Sequence, residues 1–111
     1  MSAADRKAQI DAYKERKVEG GVYAVRCAPT GAVWVGRAPD IATIRNRVWF
    51  TLRQGSNTHR ALQEAWNAHG PEAFAFEVLE VLDRAELALA FDRELKKRHA
   101  AWVDELGATS I

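Results

Sequence analysis

Cysteine is all but missing from this chain: Cys27 stands alone among 111 residues. One thiol excludes an internal disulfide and any zinc site built on several cysteines. It also sits easily with a reducing compartment. Long apolar runs are missing as well. No stretch approaches the roughly 20 residues that a membrane-spanning helix needs. The first residues carry Asp5, Arg6 and Lys7 where a secretion signal would place an apolar core. These absences read as a cytoplasmic protein with no membrane partner. The third absence is net charge: 16 Lys and Arg against 15 Asp and Glu leave +1. Any attraction to nucleic acid has to come from where charge is placed, not from its total.

What is present is the composition of an ordinary soluble domain, 48% hydrophobic and 28% charged. The length suits one domain with a core of its own. Residues 1–19 are charged and rich in helix formers, with only Ile10 and Tyr13 as an apolar stripe, and read as a helical lead-in ended by Gly20-Gly21. Residues 22–27 and 32–35 alternate and are β-rich, and Pro29-Thr30-Gly31 turns between them, which predicts a hairpin. Pairing Cys27 with Ala32 places Val25 opposite Trp34 and Tyr23 opposite Gly36, and leaves open space over the Tyr23 ring.

Asp40 is a helix N-cap, Ile41, Ile44, Val48 and Leu52 form the buried stripe, and Gly55 stops the helix. Ser56, Asn57 or Thr58 caps a second helix carrying Leu62, Ala65 and Trp66, closed by Gly70-Pro71. A third strand covers 73–82, with Phe74, Phe76, Val78 and Glu80 on one face. A last helix starts at Asp83 or Arg84 with Leu87, Phe91, Leu95 and Trp102 on its core side. Residues 20–106 thus form one domain and 107–111 a tail. The fold class is α/β (α+β): a small three-stranded mixed or antiparallel sheet flanked by helices.

Two triplets, Gly21-Val22-Tyr23 and Trp34-Val35-Gly36, open this domain ten residues apart. They are followed by Leu52-Arg53-Gln54-Gly55-Ser56-Asn57, then Ala61-Leu62-Gln63-Glu64-Ala65-Trp66-Asn67-Ala68-His69-Gly70, then Phe74-Ala75-Phe76-Glu77-Val78-Leu79-Glu80. In this order and spacing the chain resembles the GIY-YIG nucleases, small domains that cut DNA phosphodiesters. The resemblance covers about residues 20–102 and implies a tyrosine, a helical arginine, a nearby histidine or tyrosine, and a carboxylate holding one divalent ion.

Carried onto this sequence, Tyr23 matches the first tyrosine. Trp34 stands at the second tyrosine position, where indole can neither act as a base nor accept a hydrogen bond. A gap-free register puts Ile44 at the arginine position and Val48 at the histidine position, while a slip of one residue brings in Arg45, with Arg47 close by. Asn57 falls where some members have a second histidine. Asp92, then Glu94, fall nearest the metal carboxylate, implying Mg²⁺ or Mn²⁺ as cofactor.

Each position also has a plainer reading. Tyr23 can be a strand tyrosine, Trp34 core or a stacking platform, Asp92 a surface ion pair, and the arginines a solvated helix face. Arg37, Arg45, Arg47, Arg53 and Arg60 share a stretch whose only acid is Asp40, with Trp49 and Phe50 among them. That stretch, with Asn57 and with His59 near a helix start, is the nucleic-acid footprint, and DNA is the partner it implies. His59, His69 and His99 have no ligand spacing among themselves. The resulting expectation is a metal-dependent DNA endonuclease. The alternatives are a DNA-binding module that keeps the fold without the cut, and a protein-interaction domain. Such a domain would cut with low specificity, pair with a second copy of the chain, or rely on a protein partner for its choice of DNA site.

Overall fold

The computed structural model describes residues 18–111. The helix expected over 1–19 therefore lies outside the described residues, except for Val18 and Glu19, and Glu19 is already strand. Strand β1 (Glu19–Cys27) begins three residues earlier than its apolar alternation suggests, because Gly20 and Gly21 pair with Leu82 and Val81 of β3 (Phe74–Asp83). Both glycines are required by contact. A Cβ on Gly20 would run into the Phe91 ring, and one on Gly21 into the Glu80 carbonyl.

β1 is central. It runs antiparallel to β3 on one side and to β2 (Ala32–Ala38) on the other. Its register with β2 is the one read from the sequence: Cys27 opposite Ala32, Val25 opposite Trp34, Tyr23 opposite Gly36. The sheet has four strands rather than three, in the order β3-β1-β2 and then a short β4 (Thr109–Ser110). The supposed tail supplies β4, parallel to β2, and Ile111 donates its N–H to the Val35 carbonyl at 2.9 Å. An open edge carries a row of unmet backbone groups, and even two residues can cover part of it.

Alternation along β1 divides the core in two. Tyr23, Val25 and Cys27 face helix α1 (Ile41–Gln54) and helix α2 (Arg60–His69), meeting Val48, Leu52, Leu62 and Trp66. Val22 and Ala24 face the other way, onto Phe91 and Leu95 of α4 (Phe91–Leu106). Fully burying such an aliphatic side chain contributes about 1.5–3 kcal/mol. α4 does not begin at Asp83. Asp83 caps a single helical turn, α3 (Arg84–Leu87), through the Ala85 and Glu86 N–H groups, and a 3₁₀ turn over Ala88–Ala90 with Ala88 at φ 47° re-aims the chain.

β3 carries a bulge. Val22 pairs with Glu80 but Tyr23 pairs with Val78, so Leu79 is the extra residue. Phe76 shares the face of Tyr23 by the regular pairing on one side of the bulge, whereas beyond it Glu80 is turned to the α4 side, away from its expected place with Phe74. There it accepts from Arg98 at 2.7 Å and from the Trp102 indole at 2.8 Å.

α1 opens on Asp40, whose carboxylate accepts from the Ala42 N–H at 3.0 Å, and closes on Gly55 at φ 72°. The N-cap of α2 is His59, not one of the three residues expected before it, and it makes no side-chain cap bond. The corner is held by side chains instead. Asn57 accepts from the His59 N–H at 2.9 Å, and buried Gln63 accepts from the Asn57 N–H at 3.1 Å while donating to the Leu52 carbonyl and to Asn67.

Gly36 is constrained in the same way as Gly20 and Gly21, since a Cβ there would occupy the space of the Tyr23 phenol. Gly36→Ala is expected to cost about 1–3 kcal/mol, as overpacking does. Urea denaturation checks it, and an unchanged midpoint would mean the ring does not lie over Gly36.

Candidate functional site

Tyr23 sits at the middle of the central strand with its ring fixed on both sides. Gly36 lies beneath it, and Phe76 stacks on it at 5.1 Å between centroids and 14° between planes. The open space expected above the ring is absent, because the ring itself fills the room that Gly36 leaves. Only 6% of Tyr23 remains exposed. It borders a cavity of about 220 Å³ at the corner between α1 and α2. Arg47 and Thr51 of α1 and Asn57 and His59 of the corner supply its polar lining; Val48 and Ile111 are apolar walls.

Asn57 is pinned here by its bonds to Thr51 (3.1 Å), the His59 backbone and Gln63. The pocket wall is therefore part of the folded frame rather than a loose loop. Burial pushes the Tyr23 phenol above its ordinary value of 10.0, and the Arg47 guanidinium pulls it only partly back. A phenol raised in this way stays protonated at neutral pH. It can donate a hydrogen bond to an anion or orient a water, but it is not poised as a base.

The other residues singled out in the sequence fall into separate places. Arg47 reaches the Tyr23 cavity, whereas Arg45, two residues earlier, lines a different groove with Trp49 and Arg53. Val48, at the family's histidine position, is buried wall. Trp34 is 5% exposed and lies against Phe74 in the core beneath α1 and α2, so it offers no stacking platform. Arg60 pairs with Glu64 along α2 at 3.7 Å, both largely exposed. Arg37 alternates to the α4 side of β2 and donates toward His99. The five arginines of the expected footprint thus divide among several surfaces.

Asp92 and Glu94 are on the first turn of α4, the helix that packs on the sheet face opposite Tyr23, and Glu94 lies 3.7 Å from Arg98. Among the described residues no group of three or more His, Cys, Asp and Glu is placed to hold a metal ion. The Tyr23 cavity presents a phenol, a guanidinium, an amide, hydroxyls and an imidazole, but no carboxylate side chain. Mg²⁺ and its hard relatives take carboxylate oxygens. The donor set of this cavity does not fit such an ion; it fits an anion.

Sequence reasoning weighed His99 only as a metal ligand and missed its structural place, 5% exposed at the edge of β2. Its Nε2 lies 2.9 Å from the Val35 carbonyl, which can only accept, so Nε2 carries the proton. Nδ1 then accepts from the Arg37 guanidinium at 3.3 Å. A signal existed: His99 is four residues from Leu95 and three from Trp102, on the buried stripe of its helix.

No family model and no curated protein matches the chain. Solved structures do match it. The catalytic domain of the homing endonuclease I-TevI aligns with a TM-score of 0.70 and 24% identity, over 83% of this chain and 97% of that one. A mutant form of the catalytic domain of the intron endonuclease I-TevI aligns with a TM-score of 0.67 and 25% identity, over 80% and 84%.

The burial of Tyr23 gives a test in alkali. With the folded phenol held above 10.0, the unfolded chain ionises first. This contribution to stability is full below about pH 10 and is lost as pH rises through the folded value. Urea midpoints of the parent chain and Tyr23→Phe, compared at about pH 9 and 11, should draw together or cross as the parent loses stability. A constant difference would mean the phenol is not buried.

Proposed function

From the GIY-YIG nuclease fold that this chain carries, we propose that it acts on DNA as an endonuclease, with the scissile phosphate held in the Tyr23 cavity. One observation carries the reading: the fold brings Tyr23, Arg47, Asn57 and His59 together around a cavity lined by no acidic side chain, at the corner between α1 and α2. A phosphodiester is an anion with two free oxygens. Arg47 offers it a planar fork of donors, and no ion pair with a described residue competes for that fork. Asn57 holds the wall in place, and the Tyr23 hydroxyl donates to a phosphate oxygen. Water attacks phosphorus as the bond to the leaving oxygen breaks; His59, exposed at the start of α2, takes the proton that the water loses, and solvent protonates the leaving oxygen.

No step is drawn through a divalent ion, because the donors around the cavity do not suit one. That same lack of a carboxylate favours a second reading, in which the domain binds DNA without cutting it. The two separate in one assay. Supercoiled plasmid is incubated with excess protein in Mg²⁺, in Mn²⁺ and in chelator, while binding to a labelled duplex is followed against salt.

The endonuclease reading predicts nicked plasmid and a loss of about 100-fold or more in Tyr23→Phe and Arg47→Ala. Salt-sensitive binding without nicking in any condition would select the binding module. Neither binding nor nicking at low salt would remove both.

A further inference from the structure

Another cleft, of about 340 Å³, opens between α1, α2 and the start of β3. Its floor is aromatic. Trp49 and Trp66 lie 5.5 Å apart at 31°, Phe74 is 5.3 Å from Trp66, and Phe76 stands edge-on to Trp49 at 6.1 Å and 71°. Trp66 is buried, but Trp49, Phe74 and Phe76 are only partly covered and leave ring surface to the cleft.

Arg45 and Arg53 flank Trp49 four residues to either side, so all three share one stripe of α1. The stripe spans about 12 Å at 1.5 Å per residue. Among the described residues neither arginine is in an ion pair, and neither the Trp49 nor the Trp66 indole N–H is in a hydrogen bond. No acidic side chain lines the cleft.

The occupant that matches this arrangement is flat in the middle and anionic on both sides. We propose that the cleft receives an unpaired nucleobase of a DNA strand, stacked on the Trp49 and Phe76 side of the cleft. The phosphates on either side of the base would be taken by Arg45 and Arg53. Stacking suits any base, because each has a π face, and guanidinium groups add both charge and cation–π attraction. A fully paired duplex keeps its bases stacked inside and cannot fill the cleft without extruding one. A proline-rich peptide would find aromatic rings here but would leave two guanidinium groups without anions.

The cleft also adjoins the first cavity. Phe76 stacks on Tyr23 and meets Trp49 edge-on, so one side chain separates the phosphate cavity from the base cleft. A strand end or flap beside the scissile bond is thus the substrate feature the cleft selects. This inference rests on the DNA reading above, and its test keeps the two apart.

The chain is titrated with a fluorescein-labelled oligothymidylate of about twelve nucleotides, by anisotropy and by tryptophan quenching. Plasmid nicking and binding to a blunt duplex are measured alongside. Trp49→Ala is expected to weaken oligothymidylate about tenfold, and Trp49→Phe to restore most of the affinity. Because Trp49 also packs internally, the exposed pair Arg45→Glu and Arg53→Glu serves as a second variant. It should weaken the same oligonucleotide and lower its salt slope by about 1.4, for two single-strand phosphate contacts.

Oligothymidylate affinity unmoved by either variant, in a chain that still nicks plasmid, overturns the cleft and leaves the nuclease. Trp49-dependent binding in a chain that never nicks supports the cleft and removes the nuclease. Displacement of the oligonucleotide by a proline-rich peptide at matched concentration would reassign the cleft to peptide and overturn the nucleobase.

Discussion

The contact between the Tyr23 ring and the bare Cα of Gly36 sets the geometry of everything around it. A phenol lies nearly flat on a neighbouring strand only where that strand offers no side chain, and Gly36 is the cross-strand partner that makes this possible. Once the ring is down, Phe76 closes over it and the residue borders the α1–α2 corner. The same contact takes the ring out of water and raises the pKa of its phenol. One missing methyl group thus fixes position, orientation and protonation state together.

The corner that meets the phenol is built from polar side chains that satisfy one another. Gln63 is buried, yet it holds Asn57, Leu52 and Asn67, so its polar atoms do not carry the penalty of an unpaired buried amide. Such a network is rigid because each member has its partner. A rigid polar wall beside an arginine, with no acidic side chain lining the cavity, is an electrostatic environment for an anion. On the other side of the sheet the balance differs. There Glu80 gathers Arg98 and Trp102, and His99 engages Arg37, so that face spends its charges on structure.

Much of this was legible in the chain. The β1–β2 register followed from period-two alternation and the Pro29-Thr30-Gly31 turn, and α1 was bounded at both ends by Asp40 and Gly55. The fold was readable because these local signals agree with one another. The illegible parts have physical reasons. A bulge such as that at Leu79 is a backbone event with no side chain of its own to announce it, yet it decides which way Glu80 points. Gly20-Gly21 punctuates a chain equally well as a helix stop or as a strand under close contact, and only the Phe91 ring and the Glu80 carbonyl tell which. β4 is too short to have a period, and it exists because β2 has an edge to cover. The choice between Arg45 and Arg47 depends on the rotation of α1, which the burial of Val48 and Leu52 fixes; Arg47 then flanks the stripe on the Tyr23 side and Arg45 on the Trp49 side. Asp92 and Glu94 were placed by counting along a helix that in fact breaks at Ala88 and packs on the opposite face.

The central claim is that the Tyr23 cavity receives a phosphodiester. Its most direct test is a heteronuclear NMR titration with dimethyl phosphate, a phosphodiester that carries no base to stack in the aromatic cleft. The account predicts saturable shifts concentrated at the Arg47 side chain and at the backbone of Asn57, Thr58 and His59. Shifts confined instead to Lys96, Lys97 and Arg98 on the exposed side of α4, with the α1–α2 corner silent, would contradict it.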